Sequence, residues 1–190
     1  MSTITPTAGP LPRIGAISDR SAGWAAATAG ALSVVIGVLQ VVFPQDEDPA
    51  IDPRTRGILV MFTLSLWALA LLFEGLGRYA RSRHGAHIAA TGTVLLTLGT
   101  VTSAINGIDL DFFPIVAMAA NALWLIGSIV LTVSLLRARR VRRWLVLLLP
   151  FVQVPLLFFS QMGGGVVAGA YLLLLGGALL TGRILARHQG

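Results

Sequence analysis

Long apolar runs separated by short charged or proline-containing breaks set the pattern of this chain. Six runs stand out: Ala22–Phe43, Gly57–Leu76, Ile88–Ile105, Phe113–Leu136, Trp144–Phe159 and Val166–Ile184. A bilayer core of about 30 Å needs about 20 apolar helical residues. The six runs meet or approach that length, and six soluble helices of this purity in a row would be very unusual. The expected fold is therefore an all-α polytopic integral membrane bundle of six transmembrane helices. The domain reading is a polar N-terminal tail over 1–20 and one transmembrane domain over 21–187. The first run is expected to be retained. It follows a polar tail, and "VVFPQDEDPA" after it shows no small-x-small cleavage site.

Composition agrees with the pattern. The chain has 190 residues, 55% hydrophobic and 12% charged, with mean hydropathy +0.82, against roughly 25% charged in soluble domains. All fourteen basic residues are arginine and there is no cysteine. Thiolate metal sites, disulfides and cysteine nucleophiles are thereby excluded. The Ala, Gly, Leu, Val and Arg usage suggests a bacterial source.

The arginines give an orientation. Arg13 and Arg20 precede the first run. Arg78, Arg81 and Arg83 separate the second from the third, and Arg137, Arg139, Arg140, Arg142 and Arg143 the fourth from the fifth. Arg183 and Arg187 follow the sixth, so twelve of fourteen fall on one side, with Arg54 and Arg56 opposite. The positive-inside rule makes that side, and both termini, cytoplasmic in a plasma (inner) membrane. The net charge of +6 then reflects topology and anionic headgroups. No nucleic-acid-binding signature accompanies it. Trp24 and Trp144 at one end, and Phe112, Phe113, Phe158 and Phe159 at the other, suit interfacial belts.

Helices in lipid associate through small residues and a few hydrogen bonds. The first run offers Ala26, Gly30, Ser33 and Gly37 on one stripe, the third Gly92 and Gly99, the sixth Gly165, Gly169 and Gly176. These three helices are expected to pack closely. The spacing shared by "GALSVVIG" and "GTVLLTLG" suggests a repeated hairpin. "GALSVVIGVLQVVFP" resembles the opening span of small six-helix bacterial proteins of the HdeD acid-resistance type. That resemblance implies a stress-associated membrane role and assigns no site residue.

Candidate chemistry is sparse. Pro150 and Pro155 in "LLLPFVQVPLLFF" each remove an amide donor. The carbonyls of Val146 and Phe151 then need other partners, and Gln153 is placed to help. Glu74 is the one ionisable residue within a run, about 26 Å along its helix from Gly57. Arg78 at i+4 is its expected ion-pair partner at the membrane edge. Thr63, Trp67, Glu74 and Arg78 share a helical stripe, as do Asn121, Trp124, Ser128 and Thr132. A polar interior lined by Glu74, Trp67, Asn121, Trp124 and Gln153 would serve a ligand or proton path. Interhelical hydrogen bonding is the plainer account of the same residues.

His84 and His87 lack a third ligand, and Arg81 and Arg83 repel a cation, so no metal centre is expected. The group Asp46, Glu47, Asp48 and Asp52, with Asp109 or Asp111, lacks a calcium-loop pattern and has Arg54 and Arg56 beside it. Without lysine there is no Schiff base, and without a histidine inside a run there is no axial haem ligand. No nucleotide-binding, serine-hydrolase or zinc-protease motif occurs. The chain therefore reads as a non-catalytic accessory or stress-associated membrane protein without a cofactor. Its partners would be lipids and a membrane protein or a second copy. A small transporter or channel is the alternative, and an intramembrane enzyme the third.

Overall fold

The computed structural model describes residues 18–43 and 51–185. Among them all regular structure is helical, apart from an isolated bridge between Val141 and Leu185. The α-helices are α1 (Asp19–Val42), α2 (Pro53–Gly77), α3 (His84–Asn106), α4 (Phe113–Ala138), α5 (Arg143–Leu147), α6 (Gln153–Phe158) and α7 (Gly164–Leu180). Single 3₁₀ turns occupy Pro150–Val152 and Ser160–Met162. Of the expected tail, Ser18–Arg20 belong to the start of α1, and the remainder lies outside the described residues.

Local chemistry sets the helix ends. Ser18 caps α1, accepting the Ser21 amide at 3.0 Å. Asp52 caps α2, accepting the Thr55 amide at 2.8 Å, and Pro53 occupies the first turn where no donor is missed. The Thr55 amide also holds the Asp52 carboxyl below its usual pKa. Helix α3 stops at Gly107, whose φ of 74° glycine adopts without strain.

Four helices, α1 to α4, are long and apolar enough to cross a membrane. The fifth and sixth runs give shorter elements. Pro150 opens a 3₁₀ turn between α5 and α6, and Pro155 lies in the first turn of α6, so the fifth run is a broken segment instead of one kinked helix. Helix α7 has 17 residues, a rise of about 26 Å. It begins at Gly164, and the chain turns after Leu180.

The helices form a closed ring. Helix α1 lies between α7 and α2, and α3 between α2 and α4. The broken fifth segment closes the ring, with α5 and its 3₁₀ turn on α4 and α6 on α7. Leu66, Leu69, Leu72, Phe73 and Leu76 of α2 are fully buried and supply much of the core.

Two seams bring backbones together. On α1 and α7, a methyl added at Gly30 would stand 2.8 Å from the Gly169 carbonyl oxygen, and one at Gly165 2.9 Å from the Gly37 Cα. Gly176 lies against Gly23 and Ala27 in the same seam. Ala26 and Ser33 are buried beside it. The second seam joins α3 to α4: Gly92 meets Trp124 and Ala120, Gly85 meets Leu131, and Gly127 meets Ala89. Gly99 faces the Phe113 ring instead of a helix backbone. The small faces of α1, α3 and α7 thus do not form one trio; α3 turns its face to α4, which contributes Gly127.

Charge divides between the ends. The Asp19–Arg78 ion pair, the Ser82–Ser134 hydrogen bonds and the Val141–Leu185 bridge tie one end together. Ten of the twelve described arginines lie there, while Arg54 and Arg56 sit at the other end near Gly107.

Candidate functional site

The broken fifth segment brings polar groups into the interior. Proline 150 leaves the Val146 carbonyl without its usual helical donor. The Leu149 amide at 3.1 Å and the Thr132 hydroxyl at 3.2 Å replace it. The Tyr171 hydroxyl of α7 donates to the neighbouring Leu145 carbonyl at 2.5 Å. Helices α4 and α7 thereby supply from their side chains part of what the fifth segment lacks in its own backbone.

Gln153 takes a different role from the expected one. Its side-chain amide donates to Asn121 on α4, to the backbone carbonyl at 3.1 Å and to Oδ1 at 2.9 Å. Asn121 in turn donates from Nδ2 to the Ala117 carbonyl at 2.8 Å. Trp124, one turn along α4, is fully buried. Two buried polar atoms lack a protein hydrogen-bond partner among the described residues: the donor Trp124 Nε1 and the acceptor Gln153 Oε1. Asn121 and Gln153 therefore form an interior polar pair, and the buried Trp124 lies one turn from it along α4 without a bond to either.

Trp67 does not join that pair. Its side chain is 53% exposed, on an outward stripe with Val60, Leu64 and Leu71. The spacing of 4, 3 and 4 makes this one face of α2, opposite the leucine face that fills the core. Thr63 turns partly toward α3, where its hydroxyl lies 2.7 Å from that of Thr100. The shared stripe on α2 is thus divided between a helix contact and the outer surface.

Glu74 also lies apart from Asn121 and Gln153, at the arginine-rich end. Its carboxylate meets His87 Nδ1 at 2.7 Å, and Arg78 meets the Asp19 carboxylate at 3.0 Å. The expected Glu74–Arg78 pair is thus replaced by two pairs that bridge different helices. Helix α2 ends at Gly77, so Arg78 stands at the exit of the helix, facing the start of α1. Gly77 lets Ala86 approach so closely that a methyl there would lie 2.8 Å from its Cβ. That approach brings His87, in the first turn of α3, to Glu74. The side chains are 30% exposed for Glu74 and 57% for His87, so the pair lies at the surface of the bundle and not in its core. Tyr79 is half-buried beside Asp19; burial raises its hydroxyl pKa, and the Asp19 carboxylate raises it further.

At the opposite end, Ser103 donates to the Asp109 carboxylate at 2.5 Å. Asp52 is engaged as the cap of α2. Asp46, Glu47 and Asp48 lie outside the described residues. No grouping of three acidic or histidine side chains suited to a metal occurs among the described residues.

Tyr171, Gly85 and Gly127 were not singled out by sequence. The signal for the glycines was present, as Gly85 and Gly92 are seven apart on α3. Nothing in the sequence placed Tyr171 opposite Leu145. No protein family, curated protein or solved structure matches this chain.

Proposed function

We propose that this is a small non-catalytic integral protein of a bacterial inner membrane, acting as an accessory or stress-associated component through helix and lipid contacts. In this reading all six runs cross the bilayer, the two shorter ones at its closing side, with both termini in the cytoplasm. The observation that carries it is the construction of the interior. Backbones meet at glycine seams, and the buried hydroxyls are engaged either by neighbouring helices, as at Ser33–Ser65 and Thr132, or by carbonyls of their own helix, as at Thr93, Thr97 and Ser128. Ionised groups gather at the ends, where headgroups and water are available. Exposed Trp24 and Trp144 at the arginine-rich end suit a headgroup belt.

Reporter fusions at Gly190 and within Gln45–Asp52 test the topology, and the two should report opposite sides. An external C-terminus would overturn the orientation. Partners are tested by mild-detergent purification of the intact protein and identification of stoichiometric components.

One observation favours transport as a second reading: the unpartnered Trp124 Nε1 and Gln153 Oε1 within the bundle. Water or a small polar solute would satisfy both. The absence of cysteine makes a direct test simple. A single cysteine at Asn121 or Gln153 should resist a charged, membrane-impermeant thiol reagent if the interior is dry. Rapid labelling from one side would favour a hydrated path.

A further inference from the structure

We infer that the arginine-rich end carries a binding groove for one anionic phospholipid, between the end of α4, the start of α5 and the α2–α3 loop. This inference rests on the membrane reading and gives its lipid contacts a place. The groove is open to the surface and offers about 530 Å³. Its polar wall is Arg81, Arg137, Arg139 and Arg143, and its apolar wall is Val133, Leu136 and Leu147.

Charge identifies the occupant. None of these four guanidinium groups has a hydrogen-bond or ion-pair partner among the described residues. The two described carboxylates of this end are engaged elsewhere, Asp19 by Arg78 and Glu74 by His87. Four uncompensated arginines converging on one groove call for an anion with several acceptor oxygens, and guanidinium pairs with phosphate in bidentate fashion. A second groove at the same end, lined by Asp19, Arg20, Trp24, Leu179 and Leu180, contains its own carboxylate and lacks this imbalance.

The apolar wall selects a lipid over free phosphate. Val133 lies one turn below Arg137, about 6 Å deeper by helical rise. Val133 and Leu147 are 41% and 49% exposed, so an acyl chain can follow them into the hydrocarbon. Exposed Trp144 beside Arg143 sets the headgroup depth. Basic pockets between helices on the cytoplasmic side are suited to anionic headgroups.

Arg139 adds a separate observation. It stands at the end of α4 with φ 53°, a left-handed conformation in which glycine is the usual residue. A bulky arginine is held there against backbone preference, with its side chain at the groove.

The test is native mass spectrometry of the delipidated full chain, titrated with phosphatidylglycerol, phosphatidylcholine or inorganic phosphate. One phosphatidylglycerol should be retained in preference to phosphatidylcholine, and millimolar phosphate should not displace it. Arg137→Gln with Arg143→Gln should weaken retention roughly five-fold for each arginine removed. Arg54→Gln with Arg56→Gln, at the other end, should change nothing. Arg139→Gly separates binding from folding: glycine relieves the left-handed backbone, so thermal stability should hold or rise while retention falls. Equal retention of both lipids, insensitivity to the groove arginines, or displacement by phosphate would each overturn the proposal. A chain that fails to float with vesicles would instead remove the membrane reading beneath it.

Discussion

Alanine at Gly169 is the most direct probe of the α1/α7 seam. The added methyl would stand 2.5 Å from the Gly30 carbonyl oxygen, 2.6 Å from Val34 Cγ2 and 2.8 Å from the Val34 amide. Non-bonded carbon contacts are optimal at about 3.5–4.0 Å, so the helices must part by up to roughly 1 Å near the site. Parting also loosens Gly30 from Leu173 and Gly37 from Gly165 along the same seam. Overpacking of this kind costs about 1–3 kcal/mol. A gain in helix propensity of about 1 kcal/mol for Gly→Ala partly masks it. Gly177→Ala supplies the control, because it lies on the same helix with no atom within 4 Å of the added methyl. Propensity cancels between the two variants, and the difference isolates the seam. Unfolding in mixed micelles, titrated with denaturing detergent and followed by tryptophan fluorescence, should place Gly169→Ala below Gly177→Ala by about 1–3 kcal/mol. Equal stability of the two would mean that α1 and α7 do not touch through this face.

Glu74→Gln and His87→Gln should each stay within about 1 kcal/mol of wild type, as expected for an exposed pair; a large loss in either would place the pair in a dry environment. Thr132→Val and Tyr171→Phe should each lower stability by about 0.5–1.5 kcal/mol, by removing hydroxyls from the Val146 and Leu145 carbonyls, and unchanged unfolding would show that other groups serve those carbonyls. Trp67→Leu should leave unfolding nearly unchanged, whereas Trp124→Leu should be destabilising by several kcal/mol because the indole is fully buried. Asp52→Ala should speed amide exchange at Thr55, whose N–H it caps, and leave α3 unaffected.

Apolar length is a local property, and the four long helices were accordingly readable. The expected 57–76, 88–105 and 113–136 correspond to helices Pro53–Gly77, His84–Asn106 and Phe113–Ala138. Helix rotation is another matter. Lipid is as apolar as a protein core, so an inward face leaves little trace in hydropathy. Trp67 and Trp124 therefore looked alike in sequence, although one is exposed and the other fully buried. The same limit applies to Glu74. Its i+4 arginine was visible along the helix, but the approach of α3 through Gly77 and Ala86, which delivers His87, is a tertiary fact. The two prolines announced a disturbed fifth segment. The groups that serve its freed backbone, Thr132 and Tyr171, reach it from other helices and are not adjacent in sequence. Among the glycines, those of α1 and α7 face one another, while the partner of α3 had to be found on α4.

The α1/α7 seam also sets the order in which this bundle can be completed during synthesis. Gly37 and Gly165 are 128 positions apart in the chain, and their helices close the ring together. In the membrane reading proposed above, helix α1 enters the bilayer long before α7 has been made. Its glycine face must wait in lipid through the insertion of α2, α3 and α4, with no backbone against it. At a translation rate of about 5–20 residues per second, that interval lasts several seconds or more. The newborn protein therefore passes through a stage in which its most intimate helix surface is open to any other membrane segment, and the arrival of α7 ends that stage.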